Sequence, residues 1–252
     1  MKNHLDLSVI IPCYNEEKNI KDVIKKTTRA LQKIKISYEL IIVNDGSKDN
    51  SLRIITNESK INKNVKFINH KINKGFGAAF WSGVDKSCGK NVTLIPGDNE
   101  NNIDEIIKFF WLLREVDILI PYIINKENRP FLRRIISFFF NKLVNALFIM
   151  SLNYSNGTVI YNSDLLKKLK SNTSSFFFQT EILIRAIKSG YIYAEIPVKV
   201  NFIDNLNNNA LRLSQILKVL KDLIKTFLKF IFSKKLLINL DKSSISFKKR
   251  HK

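Results

Sequence analysis

The sequence predicts an α/β fold built on a mostly parallel sheet, and three observations lead there. Short β-rich apolar runs recur through the first half, at Leu7–Ile11, Glu39–Val43, Val65–Ile68, Val92–Ile95 and Asp117–Ile120. Each is too short for a buried helix and is bounded by turn formers or charge. Between them lie stretches of helical periodicity, at Glu16–Lys33, Asn50–Ser59, Ala78–Ser87 and Ile103–Leu113. Strands alternating with helices make crossover units. The last of these helices opens with Asn102 and Glu105 in capping-box spacing, where each side chain can satisfy a free backbone N–H.

After Pro121 the pattern changes. Arg129–Met150 reads as one long helix with a wide apolar arc and a polar stripe at Arg134, Ser137, Asn141 and Asn145. A strand (Thr158–Tyr161), a helix (Gln179–Lys188) and a strand (Tyr191–Val200) follow. Leu211–Phe232 is a second amphipathic helix, with Lys218, Lys221, Lys225 and Lys229 opposite Leu213, Leu217, Leu220, Ile224, Phe227 and Ile231. That pattern suits a helix lying in a membrane interface, although core packing also accounts for the apolar face. The basic tail to Lys252 is expected to be loose. With no internal repeat and no Gly/Ser linker, the organisation expected is one domain over 1–205 and a basic helix and tail over 206–252.

Composition narrows the classes. A chain of 252 residues, 45% hydrophobic, can bury a core, which argues against disorder. Its 42 Lys and Arg against 22 Asp and Glu leave a net charge of +20. Such an excess favours anionic partners, although a chain so rich in Lys, Asn and Ile also fits biased coding. Nucleic acid is not an expected partner, because no aromatic or helix-turn-helix platform is present. Cys13 and Cys88 are isolated and suit a reducing cytoplasm. The N-terminus lacks a signal-peptide pattern, and no stretch reaches the ~20 uninterrupted apolar residues of a membrane span. Leu223–Leu240 comes nearest and is broken by Lys225, Lys229, Lys234 and Lys235. The expected location is cytoplasmic and peripheral, on the inner face of the membrane.

In a parallel α/β sheet, ligands bind outside the carboxyl ends of the strands. Three predicted strands run into acid-bearing loops there: Pro12-Cys13-Tyr14-Asn15-Glu16-Glu17, Asn44-Asp45-Gly46-Ser47 and Pro96-Gly97-Asp98-Asn99-Glu100. One such loop is ordinary turn chemistry; three at one sheet edge exceed what a fold requires. Gly75-Phe76-Gly77 is a poor dinucleotide fingerprint, since Phe80 stands at the third glycine position and the element follows the third strand.

IIPCYNEE, IIVNDGSKDNS, NKGFGAAFWSGV and a strand ending in Asp98, in that order, resemble glycosyltransferase family 2. Within it the chain is most similar to the polyprenyl-phosphate sugar transferases, from about Leu7 to Val200. The resemblance implies a GT-A fold with a C-terminal amphipathic helix, a nucleoside-diphosphate sugar donor, and Mg2+ or Mn2+. It implies that Pro12, Tyr14 and Glu16 line base and ribose and that Asp45 contacts the base. It also implies that the Lys74–Gly77 stretch sits near the nucleotide, where Lys74 can meet a phosphate, although helix-packing glycines account for the stretch equally well. Asp98 matches the first acid of the family's D-x-D metal motif, which here reads D-x-E with Glu100 second. Hard carboxylate oxygens suit either cation, which needs only one or two of them from protein. A cation there reconciles the acids with a diphosphate they would otherwise repel.

On the acceptor side, Glu181 matches a family acid close to the acceptor: a candidate base for a hydroxyl, or a positioning group if the acceptor is a phosphate. Arg129, Arg133 and Arg134 head the long Phe-rich helix, where guanidinium groups either hold a lipid phosphate or stand in solvent. Asn156-Gly157 departs from the family's acceptor loop, and Asn205–Asn209 replaces its basic C-terminal motif. The function implied is inverting transfer of a sugar to a polyprenyl phosphate, with transfer to a sugar hydroxyl or a degenerate scaffold as alternatives.

Overall fold

The computed structural model describes residues 5–170, 175–201, 213–233 and 236–251. Its strands are β1 Leu5–Cys13, β2 Tyr38–Asp45, β3 Val65–His70, β4 Gly89–Leu94, β5 Ile118–Ile123, β6 Ile160–Asn162 and β7 Tyr193–Val198. Its helices are α1 Ile20–Lys33, α2 Ser51–Ile61, α3 Phe76–Lys86, α4 Ile103–Ile107, α5 Phe131–Phe148, α6 Ser163–Lys168, α7 Phe178–Lys188, α8 Leu213–Phe232 and α9 Ile245–Arg250. The strands form one sheet in the order β3-β2-β1-β4-β6-β5-β7. All pairs are parallel except those of β6, which runs antiparallel to both neighbours.

Period-two alternation builds the layers. In β1, Leu7, Val9, Ile11 and Cys13 face one cluster with α1 and α4, while Ile10 faces the other with α3, α6 and α7. Each fully buried aliphatic side chain there stabilises the fold by about 1.5–3 kcal/mol. A third layer, α5 and α8, packs on α7 through Val144, Phe148, Phe177, Ile184 and Leu223. The chain passes from β1 outward to β3, then returns to lay β4 against the other side of β1. The carboxyl ends of β1 and β4 therefore flank the switch in strand order, where a crevice must open.

Several boundaries differ from the sequence reading for local reasons. The first helix begins at Ile20, because Asn15 takes a left-handed φ of 56° and residues 16–19 turn first. The capping box at Asn102 is half formed. Asn102 Oδ1 accepts from Asp104 N, but Glu105 pairs with Lys108, and the helix stops at Ile107 before a 3-10 turn over Phe110–Arg114. β5 runs on through Pro121 because β7 pairs with it as far as Ile123, while β6 pairs with it only at Ile118 and Leu119. α6, unforeseen, starts where Asn162 Oδ1 accepts from Asp164 N and Leu165 N.

The expected loose tail is instead docked over its described residues. Buried Asp117, just before β5, accepts Ile245 N at 3.0 Å and Ser246 N at 2.9 Å, fixing the start of α9. Tyr191 Oη donates to Asn239 O and accepts from Asp241 N. The expected boundary at 205/206 and the first residues of the expected C-terminal helix, Leu211 and Arg212, lie outside the described residues.

Candidate active site

The loops after β1 and β2 are laced together by side chains bonding across to backbone. Asn15 N donates to Ser47 Oγ (3.0 Å), Glu16 N to Ser51 Oγ (2.9 Å) and Glu17 N to Asp49 Oδ2 (3.0 Å). In return Lys48 N donates to Asn15 Oδ1 (2.8 Å) and Asn50 N to Glu17 Oε2 (2.9 Å). The two sequence blocks thus form one rigid floor, with Pro12 and the exposed ring of Tyr14 along it.

Asp45 ends β2 and is buried. Its Oδ1 accepts from Lys74 N (2.9 Å) and meets His70 Nδ1 (2.7 Å), and its Oδ2 accepts from Gly75 N (2.8 Å). Gly75 gives that N–H at φ 94°, a conformation that favours glycine. Gly46, also at positive φ, lets residues 72–73 approach so closely that a Cβ would sit 2.6 Å from Asn73 N. Asp45 therefore shapes the Lys74–Gly75 turn and lines the cleft beside it, while the Lys74 side chain is exposed at its edge. His70, which reaches Ser82 Oγ through Nε2 at 3.0 Å, went unread in the sequence.

Asp98 follows β4 at the switch point, where Gly97 N donates to Pro12 O at 3.2 Å. Asn99, at φ 63°, folds the loop so that Glu100 N donates to Asp98 Oδ1 at 3.1 Å. Burial, then the charges of Glu100 and Glu16, push the Asp98 carboxyl up to about 6. Glu16 is likewise raised, by burial and by Asp49, although Asn19 donates to it. Glu100 forms an ion pair with Arg133 at 3.5 Å. Carboxylate oxygens are the hard donors a divalent cation takes, so Asp98 and Glu100 fit Mg2+ or Mn2+, with Glu100 shared with Arg133. Among the described residues no three acids, cysteines or histidines close a cage.

From this crevice a cleft of about 1270 Å3 continues between α5 and α8. Pro12, Tyr14, Glu16, Asp45, Lys74, Asp98, Glu100, Arg129 and Arg133 all line it. Arg129 lies over the Tyr154 ring at 5.8 Å. Along α5 and α8 the walls are mostly apolar, with Ile135, Phe139 and Leu143 from α5 and Ile216, Val219 and Leu220 from α8, interleaved with Ser137, Asn141, Gln215 and Lys218.

Two expected site residues stand apart. Arg134 is exposed and outside the cleft, although Ser137 and Asn141 of the same polar stripe line it. Glu181 is buried on α7, 3.9 Å from Arg185 one turn on, and does not line the cleft, whereas its neighbours Gln179 and Thr180 do. Asn101, which accepts Thr158 Oγ1 at 2.8 Å, and Asn156 join the lining. Asn205–Asn209 and Arg212 lie outside the described residues.

Crevice, acid loops and sheet order together make one ligand-binding edge, and comparison with known proteins gives its class. The family model for Glycosyl transferase family 2 matches residues 8–170, and the chain belongs to that family. It is a glycosyltransferase with a GT-A fold. A dolichyl-phosphate beta-glucosyltransferase of Trichomonas vaginalis is 26% identical over 88% of this chain and 70% of its own. The dodecaprenyl-phosphate galacturonate synthase of Rhizobium johnstonii is 28% identical over 66% of this chain and 50% of its own. Among solved structures, glucosyl-3-phosphoglycerate synthase from Mycobacterium tuberculosis, in complex with Mn2+, UDP and phosphoglyceric acid, superposes with a TM-score of 0.68. At 16% identity over 89% of this chain and 78% of its own, that likeness speaks to fold alone.

Proposed function

We propose that the chain transfers a sugar, with inversion, from a nucleoside-diphosphate sugar to a polyprenyl phosphate at a membrane surface. One observation carries this reading: a single cleft starts at Asp98, passes Arg129 and Arg133, and ends between mostly apolar walls on α5 and α8. A donor diphosphate suits the first part, an anionic head the second and a prenyl chain the third. The names of the two relatives, both lipid-phosphate sugar transferases, fit the same reading.

Asp98 and Glu100 would hold Mg2+ or Mn2+, which when bound offsets the negative charge gathering on the departing diphosphate. The laced floor of Tyr14, Glu16 and Asp45 holds the nucleotide, so that little reorganisation remains for the reaction. Arg129 and Arg133 orient the acceptor phosphate by charge-assisted hydrogen bonds. Its oxygen is already anionic and needs no base. As it bonds to the anomeric carbon from the far side, the bond to the β-phosphate oxygen breaks and its electron pair leaves with the nucleoside diphosphate. Glu181 has no part in this step: it pairs with Arg185, whose guanidinium bonds Leu169 O and Leu236 O away from the cleft lining.

Membrane contact rests on α8 and α5. Core packing takes Leu223 and largely covers Phe227, yet Leu217, Leu220, Ile224, Leu228 and Ile231 stay exposed beside Lys218, Lys221, Lys225 and Lys229. On α5, Phe131, Leu132, Phe138 and Phe139 are exposed as well. No helix among the described residues is long and apolar enough to cross a membrane. These stripes suit an interfacial position on the cytoplasmic face, each lysine contributing about 1 kcal/mol on anionic lipid.

A transfer assay tests the function. With labelled UDP- and GDP-sugars, Mn2+ and undecaprenyl phosphate in anionic liposomes, label should enter the organic phase only when lipid phosphate and cation are both present. Label passing instead to a soluble saccharide contradicts the acceptor. In flotation, the protein should rise with anionic liposomes at low salt and be partly released at high salt.

A further inference from the structure

The Glu100–Arg133 ion pair joins the two halves of the cleft. Glu100 belongs to the loop after β4, Arg133 to the first turn of α5, and their side chains are only 16% and 20% exposed. Salt screens a pair so enclosed far less than a surface pair. Glu100 is one of the two acids that fit a divalent cation, and Arg133 lines the cleft where the apolar groove begins. Each group thus faces two suitors. A carboxylate coordinating a cation gives up much of its attraction for a guanidinium. A guanidinium clamping a phosphate through its planar fork gives up its geometry toward a carboxylate.

We propose that Glu100 holds Arg133 in the free protein and releases it to the acceptor phosphate when a divalent cation occupies the carboxylates, so that cation and acceptor bind cooperatively. This rests on the acceptor reading above and adds an order to it: lipid phosphate is gripped only once the donor side is charged with its cation. By linkage the coupling runs both ways, so phosphate bound at Arg133 tightens cation binding by the same factor.

Two binding measurements on the full chain test the idea. Free Mn2+ is read by electron paramagnetic resonance, and geranyl phosphate, a short prenyl phosphate, by calorimetry. Wild type should bind geranyl phosphate about fivefold or more tightly with Mn2+ than without. Glu100→Gln should bind it without Mn2+ about as well as wild type does with Mn2+. Arg133→Gln should bind Mn2+ alone more tightly than wild type, roughly threefold or more, and lose the Mn2+-dependent gain in geranyl phosphate. Arg134→Gln makes the same charge change one residue along but outside the cleft, and should track wild type in both. The proposal is overturned if Mn2+ leaves geranyl phosphate affinity unchanged in wild type, or if Arg134→Gln reproduces Arg133→Gln. If that happens while lipid-phosphate turnover persists, the coupling alone falls. If no variant binds geranyl phosphate although Mn2+ still binds, the coupling and the acceptor reading fall together.

Discussion

At its β1–β2 end the cleft is walled by backbone and short polar side chains that already bond to one another. At its α5–α8 end it is walled by Ile135, Phe139, Leu143 and Leu220, each a third or more exposed. The first end is finished before any ligand arrives: Asp45 takes two backbone N–H groups and His70, and the loops of Asn15–Glu17 and Ser47–Ser51 hold each other. The second end has apolar surface that water meets at a cost of about 25 cal/mol per Å2. The difference teaches that a preorganised polar site and an unfinished apolar one call for different partners. The polar end can select a ligand by geometry; the apolar end gains from whatever covers it, which a lipid chain and a bilayer surface both do.

Mutations on either side of that divide should separate. The largest effect is expected at the junction, where Asp98→Asn should lower turnover by about 10²-fold or more with the melting temperature preserved. Full activity in that variant, or in EDTA, removes the cation from the account. Next, Phe139→Asp places a charge on the exposed groove wall. It should cut kcat/KM for a prenyl phosphate by roughly tenfold or more and weaken liposome flotation, while nucleotide affinity stays at the wild-type value. A matching loss of nucleotide affinity would merge the two ends. Conversely, Asp45→Ala should weaken nucleoside-diphosphate binding by about 1–3 kcal/mol, even without cation, and leave flotation untouched. Unchanged affinity in calorimetry would take Asp45 out of the donor end.

The smallest expected effect is a pH dependence. The Asp98 carboxyl stands at about 6 in the fold against an ordinary 3.8, so the fold favours its protonated form. Stability from this group is therefore greatest below 3.8 and is lost as pH rises through about 6. A bound cation offsets that loss where the acid is ionised. The Mn2+-induced rise in melting temperature should accordingly be larger at pH 7.5 than at pH 5. Equal shifts at both values would detach Asp98 from the cation.

How far each end was legible follows the same divide. The donor loops could be read because each follows a strand whose apolar run marks where it ends, and the ligand edge lies there by topology. His70 escaped notice as a lone histidine. Yet counting β2 and β3 from their loops would have set it beside Asp45, its partner in register. The acceptor end was harder. Helix periodicity set Arg134 on a polar stripe with Ser137 and Asn141 but left open which helical face meets the cleft. Arg133, Ser137 and Asn141 line it, and Arg134 does not. Glu181 was carried by family likeness alone. Arg185, four residues on, was the available sign that it faces along α7. The docked tail depended on Asp117, where a buried acid before β5 accepts N–H groups 128 and 129 residues away, a pairing no local pattern discloses.

The claim that most needs direct trial is that the α5–α8 groove takes a prenyl chain while the arginines take its phosphate. The measurement is kcat/KM with Mn2+ and a fixed nucleotide sugar, for geranyl phosphate, undecaprenyl phosphate and a phosphorylated acceptor without a lipid chain such as phosphoglycerate. The account predicts a rate constant that climbs with prenyl length, with the lipid-free acceptor lowest and the length dependence flattened in Phe139→Asp. A protein that serves phosphoglycerate as well as or better than undecaprenyl phosphate would contradict it.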